Sequence, residues 1–198
     1  MSAPELGPWE PLDVESVVEV FVGASFRWWI SGGRALDLHL QRSWRDHDDT
    51  DLGVLRSDLA AVHERLGPWE AHIAAAGKLS PWRGEPLRSD RHQNNVWCRR
   101  TDAAPWILDI TIGDGSDEEW IYRRDPSIRV PWNMAVLHSV AGIPYLAPEL
   151  QLLYKSTAIR PKDDIDAAVV IPTLDDRQLE LLAATLAPDH PWRSLLEP

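Results

Sequence analysis

Between Arg45 and Leu55 the chain reads RDHDDTDLGVL: Asp46, Asp48, Asp49 and Asp51 stand together and run directly into the apolar residues Val54 and Leu55. A fold that buries this apolar run as a strand must hold a concentration of negative charge at the strand's mouth. Two readings follow, a solvated turn or cap ahead of a core element, or a metal site. Strand geometry sharpens the second. Residues i and i+2 share a face, so Asp49 and Asp51 are expected to point together while Asp48 and Thr50 point away. Two hard oxygen ligands on one side suit Mg²⁺, which takes one or two carboxylates, water and substrate phosphate oxygens.

The rest of the chain bounds what such a site can belong to. With 198 residues and 44% apolar content it can build one ordinary domain, or a domain with a smaller appendage sharing its core. A single cysteine, Cys98, excludes an internal disulfide framework and fits a reducing compartment. The acidic, Pro-interrupted start MSAPELGPWEPLDVES lacks the basic and apolar regions of a secretion signal, and no segment has the apolar length of a membrane span. The expectation is a soluble, cytoplasmic protein. A net charge of −11 argues against nucleic acid as the main partner, because phosphate backbones are held by clustered Lys and Arg, and favours cations, either metal ions or a polycationic small molecule. Of the 11 tryptophans, most are expected in the core, with a few near a cleft free to stack on a base or sugar face.

Hydrophobic spacing predicts a helix through Val14, Val17, Val18 and Phe21 capped by Asp13. A short strand over 27–31 should follow, then a tight turn at Gly32-Gly33 and a helix over 34–40. Strands are expected over 50–55, 70–75, 95–99, 106–112 and 119–123. A helix capped by Ser57 should carry Leu59, Val62 and Leu66 on one face, and 77–94, rich in Pro, Gly and charge, reads as a surface loop. From about Pro144 the pattern turns helical. Pro148 opens a helix that aligns Leu150, Leu153, Tyr154 and Thr157, and a later one aligns Leu179, Leu182, Ala183 and Leu186. The class is α+β, divided at 1–143 and 144–198, with the helical part packed against the first.

Two further features complete a site. Asp109 sits in the middle of the apolar run WILDITIG, where an unpaired carboxylate is costly and either shifts its pKa or finds a cation. It could complete a three-carboxylate site with Asp49 and Asp51, or form a salt bridge with Arg99 or Arg100. Ser31, Gly32 and Gly33 precede a helix whose free N–H groups and positive dipole end suit a triphosphate.

The stretch WWISGGRALDLHLQRSWRDHDDTDLGVL resembles the nucleotidyltransferase signature of the DNA polymerase β superfamily, in the form found in small bacterial aminoglycoside and lincosamide nucleotidyltransferases. WILDI, EWIYRRDPSIRVP, GIPYLAPELQLLYKS and RPKDDIDAAVVIPTL resemble later blocks of that group, so the similarity spans most of the chain. The resemblance implies the nucleotidyltransferase fold, a mixed sheet flanked by helices, with the C-terminal helical part closing over the acceptor. It implies Mg²⁺-dependent transfer of a nucleoside monophosphate from a nucleoside triphosphate, ATP first, to a hydroxyl. By position Asp49 and Asp51 match the metal-binding acids, Asp109 the third acid, and Gly32-Gly33 the phosphate turn. The pattern departs from relatives at Arg34, Gln41 and Trp44, which bear on the acceptor and the phosphate cradle rather than on the acids.

Lys155 and Lys162 are the cations that could reach the leaving pyrophosphate, Lys155 being favoured. Alternatively Lys155 extends to solvent and Lys162 pairs with Asp166 at i+4. His47 reads as a structural hydrogen-bonding residue, since Mg²⁺ prefers oxygen. An acidic chain suits an aminoglycoside, so antibiotic inactivation is the first functional expectation. The alternatives are a nucleotidyltransferase that modifies a partner protein, as in toxin-neutralising relatives, and a non-catalytic nucleotide-binding module.

Overall fold

The structure, a computed structural model, describes residues 6–196. Helix α1, Val14–Phe21, begins where the Asp13 carboxylate accepts the Ser16 N–H at 2.8 Å, as expected of that cap. Strand β1, Trp28–Ser31, passes straight into α2, Gly32–Leu40. The turn expected ahead of the helix is therefore compressed into its first residues. Gly32 makes this possible by taking φ +66°, a region disfavoured for residues with a Cβ.

Strand β2 is Asp51–Leu55, one residue shorter than expected. A 3₁₀ turn over Arg56–Asp58 then leads into α3, Leu59–Leu66, so Ser57 lies inside that turn and does not cap the helix. Strand β3, Glu70–Ala75, matches expectation. The segment read as surface loop instead opens with β4, Lys78–Pro81. Ala76 and Gly77 both take positive φ, 50° and 71°, and close a two-residue hairpin in the sense that matches strand twist. Ala-Gly is a weak turn signal, and Pro81 is tolerated because β4 is an edge strand.

Strand β5, Asn95–Arg99, also matches, while β6 runs Leu108–Gly115, two residues later than its apolar run suggested. Strands β7, Glu119–Ile121, and β8, Arg129–Pro131, extend from the far end of β6. A single-turn helix α4, Trp132–Ala135, and strands β9, Val136–His138, and β10, Pro144–Leu146, follow. The main sheet has the order β4-β3-β5-β6-β2-β1-β10-β9. Helices α5, Pro148–Lys155, α6, Pro161–Val170, and α7, Asp176–Thr185, follow, then a 3₁₀ turn over Pro191–Leu195, and Thr157 falls beyond the end of α5.

Adjacent side chains on a strand serve opposite faces, and the molecule accordingly has two cores. Ile30, Leu52 and Ile110 pack with Val17 and Phe21 of α1 and Val62 and Leu66 of α3. Trp29, the neighbour of Ile30, joins Leu36 of α2 and Leu150, Leu153, Val170 and Leu182 of the C-terminal helices. The C-terminal helices thus pack on the sheet face that carries Trp29. Among the described residues no helix is long and apolar enough to cross a membrane.

Candidate active site

The sheet itself brings the acids together. Ser31 of β1 stands opposite Asp51 of β2, Asp51 opposite Asp109 of the parallel neighbour β6, and Asp109 opposite Trp97 of β5. Residues in register on neighbouring strands present their side chains to the same face, so these four form a row. Asp49 joins them differently from expectation. Because β2 starts at Asp51, Asp49 lies on the preceding loop and enters from there. Asp49, Asp51 and Asp109 line one cleft of about 440 Å³ between the sheet and the C-terminal helices, together with Ser31, Gly32, Gly33 and Lys155. Asp48, on the same loop, points away and is 89% exposed, which loop geometry rather than strand alternation produces.

Among the described residues Asp109 makes no salt bridge to an arginine. Arg99 pairs with Glu70 and lies over the Trp106 ring, and Arg100 lies over Trp69. Asn95 Nδ2 donates to both Asp109 oxygens, at 2.9 and 3.0 Å, and Trp97 Nε1 donates to Oδ2 at 3.1 Å. Sequence reasoning missed both donors. Their signal was present as an i, i+2 pair on β5, the same face of a strand whose partner was then unknown. Burial pushes the Asp109 carboxyl up to about 7 against the pull of Asn95 and Trp97, and the Asp49 charge adds to the rise. Burial, followed by the charges of Asp109 and Asp49, likewise raises Asp51 well above the usual carboxylate range.

Acids this strained toward neutrality suit a cation. Among the described residues no group of three or more His, Cys, Asp or Glu is gathered so as to hold a metal ion by itself. Asp49 and Asp51 fit the partial cage that Mg²⁺ accepts when phosphate and water supply the remaining oxygens.

The β1 side of Asp51 is closely packed. A Cβ on Gly32 would overlap the Asp51 carboxylate and one on Gly33 would overlap the His47 ring, so this glycine pair is required by close packing. The Gly32 N–H donates to Gln151 Oε1 at 2.8 Å, while the Ser31 hydroxyl caps no helix N–H. Lys155 does not reach into solvent. Its Nζ is 3.0 Å from both Asp163 and Asp166, with all three side chains nearly fully buried. Two of its three donors are thereby used, and the residue still lines the cleft. Arg45 grips Asp166 from the other side through Nε at 2.7 Å and Nη2 at 2.9 Å.

Burial alone would raise Asp163 and Asp166. Hydrogen bonds and charge from Arg160 and Lys155 outweigh it at Asp163, those from Arg45 and Lys155 at Asp166, and both stay below the usual range. With Asp166 engaged, Lys162 turns to Asp48 at 3.4 Å, not to its i+4 partner. His47 Nε2 lies 2.9 Å from Asp37 Oδ2 without the alignment of a hydrogen bond, and its ring lines the cleft. The Asp163–Asp166 pair was legible in principle: with Ala167 and Val170 it occupies one buried helical face, and acids on such a face demand partners.

Residues 13–93 match the family model for aminoglycoside-2''-adenylyltransferase. Solved structures share the architecture. The antibiotic-resistance factor ANT(2'')-Ia in solution aligns over 86% of this chain and 87% of its own, at 19% identity and TM-score 0.54. Its crystal structure with adenylyl-2''-tobramycin aligns over 93% and 97%, at 19% identity and TM-score 0.51. The lincosamide antibiotic adenylyltransferase LnuA, lincomycin-bound, aligns over 79% and 95%, at 15% identity and TM-score 0.54. The chain has the nucleotidyltransferase fold. No curated protein matches the sequence itself. The stretch matched by the family model carries Ser31, Gly32, Gly33, Asp49 and Asp51, whereas Asp109 and Lys155 of this nucleotidyltransferase fold lie beyond it and are brought in by β6 and α5.

The raised acids have a measurable consequence. Unfolded aspartate titrates near 3.9, so across the window from about 4 to 7 Asp109, and with it Asp51, holds more proton in the folded apo chain than in the unfolded one. Stability contributed by these groups is present at the acid end and lost as pH rises. The Tm of Asp109→Asn minus that of wild type is expected to grow with pH across that window, read by thermal melts without divalent cations. A difference that is flat in pH would remove the buried-acid account.

Proposed function

We propose that the chain is a Mg²⁺-dependent nucleotidyltransferase that moves the nucleoside monophosphate of ATP onto a hydroxyl of a small antibiotic acceptor. The acceptor is of the aminoglycoside kind named by the family model or the lincosamide kind named for one structural neighbour. The observation that carries this reading is the register of Asp51 against Asp109, beside the glycine-started helix and the buried Lys155. Asp49 and Asp51 would hold the metal, which supplies charge neutralisation at phosphorus and at the departing pyrophosphate.

This chain's residues do the rest. The Ser31 hydroxyl and the Gly33 N–H at the start of α2, with the third donor of Lys155, bind the β- and γ-phosphates, and Gly32, its N–H held by Gln151, shapes the turn that presents them. Asp109, held by Asn95 and Trp97, takes the proton of the acceptor hydroxyl. The freed oxygen bonds to the α-phosphorus as the bond to the β-phosphate oxygen breaks, and pyrophosphate leaves with that electron pair. Tyr154 on the cleft wall, backed by the buried Trp120, offers a face for the base. In this reading residues 1–143 are the nucleotidyltransferase domain and 144–198 the helical part that covers the substrate, and the enzyme works in the cytoplasm, where ATP and Mg²⁺ are supplied.

A cleft of about 440 Å³ is the size of small-molecule sites and favours this reading over a protein acceptor. Retention of all three acids argues against a non-catalytic module. The deciding test is a screen of antibiotics with each nucleoside triphosphate, read by acceptor mass gain and pyrophosphate release. Neither signal with any acceptor overturns the proposal. Asp109→Asn is expected to slow transfer by roughly 10²- to 10⁴-fold, the usual contribution of a general base, with nucleotide KM near wild type. An equal loss of nucleotide binding would make Asp109 chiefly a metal ligand.

A further inference from the structure

We propose that Arg45 is a positioning residue for nucleotidyl transfer: acting through Asp166, it sets Asp49 on the metal side and Lys155 on the phosphate side in one fixed arrangement, so that metal and triphosphate are taken up together. The inference rests on the nucleotidyl-transfer reading and gives a task to a residue that reading leaves idle.

The need for such a residue comes from where Asp49 stands. Strand pairing holds Asp51 and Asp109, but Asp49 lies in the segment between α2 and β2. Among the described residues, 43–49 make no backbone-to-backbone hydrogen bond, so side chains must fix the shape of this segment. At its far end the Thr50 hydroxyl donates to the Leu12 carbonyl at 2.6 Å. At its near end the tie is Arg45. Nε and Nη2 donate to the two oxygens of the fully buried Asp166 at 2.7 and 2.9 Å, and Nη1 donates to the Asp46 carbonyl at 3.0 Å. The Ser43 hydroxyl donates in turn to the Arg45 carbonyl at 2.9 Å. The contact of Lys162 with the exposed Asp48 adds little, because solvent screens it.

The same guanidinium meets the other two parts of the site. A Cβ on Gly33 would lie 2.8 Å from Arg45 Nη2, so the guanidinium is seated against the first turn of α2. Asp166 Oδ2, which accepts from Nη2, is also 3.0 Å from Lys155 Nζ. One buried oxygen thus stands between a cation on the Asp49 segment and the cation on α5 that serves the triphosphate. Without Arg45 the Asp166 charge would be left to Lys155, drawing its ammonium away from the cleft just as the Asp49 segment loses its tie. A planar guanidinium fills both Asp166 oxygens at once, which a lysine ammonium does not.

The test compares Arg45→Lys, Asp166→Asn and their double variant with wild type, in the full chain at a temperature where melts show each to be folded. Binding of α,β-methylene-ATP, which lacks the bond that breaks, is followed by calorimetry at stepped Mg²⁺ concentrations, and kcat is measured with the acceptor that the antibiotic screen selects. Arg45→Lys is expected to raise the Mg²⁺ concentration for half-maximal analogue binding by about tenfold and to lower kcat by 10-fold to about 100-fold, the usual effect of losing a group that orients a metal site. Asp166→Asn should reproduce both losses, and the double variant should be no worse than either, because residues that act as one unit do not add. Wild-type kcat and Mg²⁺ requirement in a folded Arg45→Lys overturn the proposal, as do wild-type values in Asp166→Asn or additive losses in the double variant. Should Arg45→Lys not fold, Arg45→Met combined with Asp166→Asn, which leaves neither charge of the pair behind, takes its place, and wild-type values there overturn the proposal. If wild type binds the analogue but transfers to no acceptor, the function falls while the Mg²⁺ comparison still decides Arg45, whereas absence of analogue binding in wild type overturns both.

Discussion

Asp51→Asn is expected to lower nucleotidyl transfer by about 10³-fold, because a metal's charge stabilisation is worth several kcal/mol and each factor of ten takes about 1.4. The same substitution is expected to raise the Tm of the apo protein at neutral pH. Asp51 stands in register with Asp109, near Asp49, and its burial and their charge make its ionised form unfavourable in the folded chain. Asparagine keeps the shape that fits against Gly32 and removes the charge. Asp49→Asn should match the loss of activity. Steady-state transfer assays and calorimetric melts without Mg²⁺ decide the matter. Wild-type turnover would end the metal-site reading, and a Tm lowered by several degrees would mean that the carboxylate is structural.

Lys155→Met is expected to cost both stability and activity. The lysine is enclosed with Asp163 and Asp166, and breaking a buried ion pair from one side typically costs 3–5 kcal/mol. Arg160 and Arg45 remain beside the two aspartates, which places the expected loss near the lower end, about 3 kcal/mol, or roughly 6–12 °C in Tm for a chain of this size. Lys155→Arg, which keeps the charge, should recover part of the stability. If the third ammonium donor serves the triphosphate, nucleotide KM rises in the methionine variant even at temperatures where it is fully folded. A variant with the stability loss and an unchanged nucleotide KM would confine Lys155 to structure.

What the sequence disclosed of this fold follows from which signals are local. α1, β3 and β5 were legible to the residue or nearly so, because alternation, period and the Asp13 cap are written in neighbouring residues. The short strands β8, β9 and β10 were not, since three residues carry no period and owe their state to pairing partners distant in the chain. The same division holds in the site. Asp49, Asp51, Asp109, Gly32 and Lys155 stood out as charges or glycines out of place locally, and the cleft collects all of them. Asn95, Trp97, Arg45 and Gln151 look ordinary where they stand. Their roles arise from β5 lying against β6, from Arg45 reaching α6, and from α5 presenting Gln151 to the start of α2. Hydrophobic pattern specifies a strand's faces but leaves its neighbour open.

The pairing of Asp51 with Asp109 also makes catalytic competence a gauge of assembly. In β2 and β6 a shift of one position along either strand would carry one acid to the α1–α3 side of the sheet and bring an isoleucine or leucine to the cleft, because neighbours on a strand face opposite ways. Such a misthreaded chain could keep most of its secondary structure and compactness while losing the reaction altogether. In refolding, recovered turnover per molecule therefore counts chains whose parallel central pair has closed in the native alignment, a quantity to which circular dichroism and light scattering are blind.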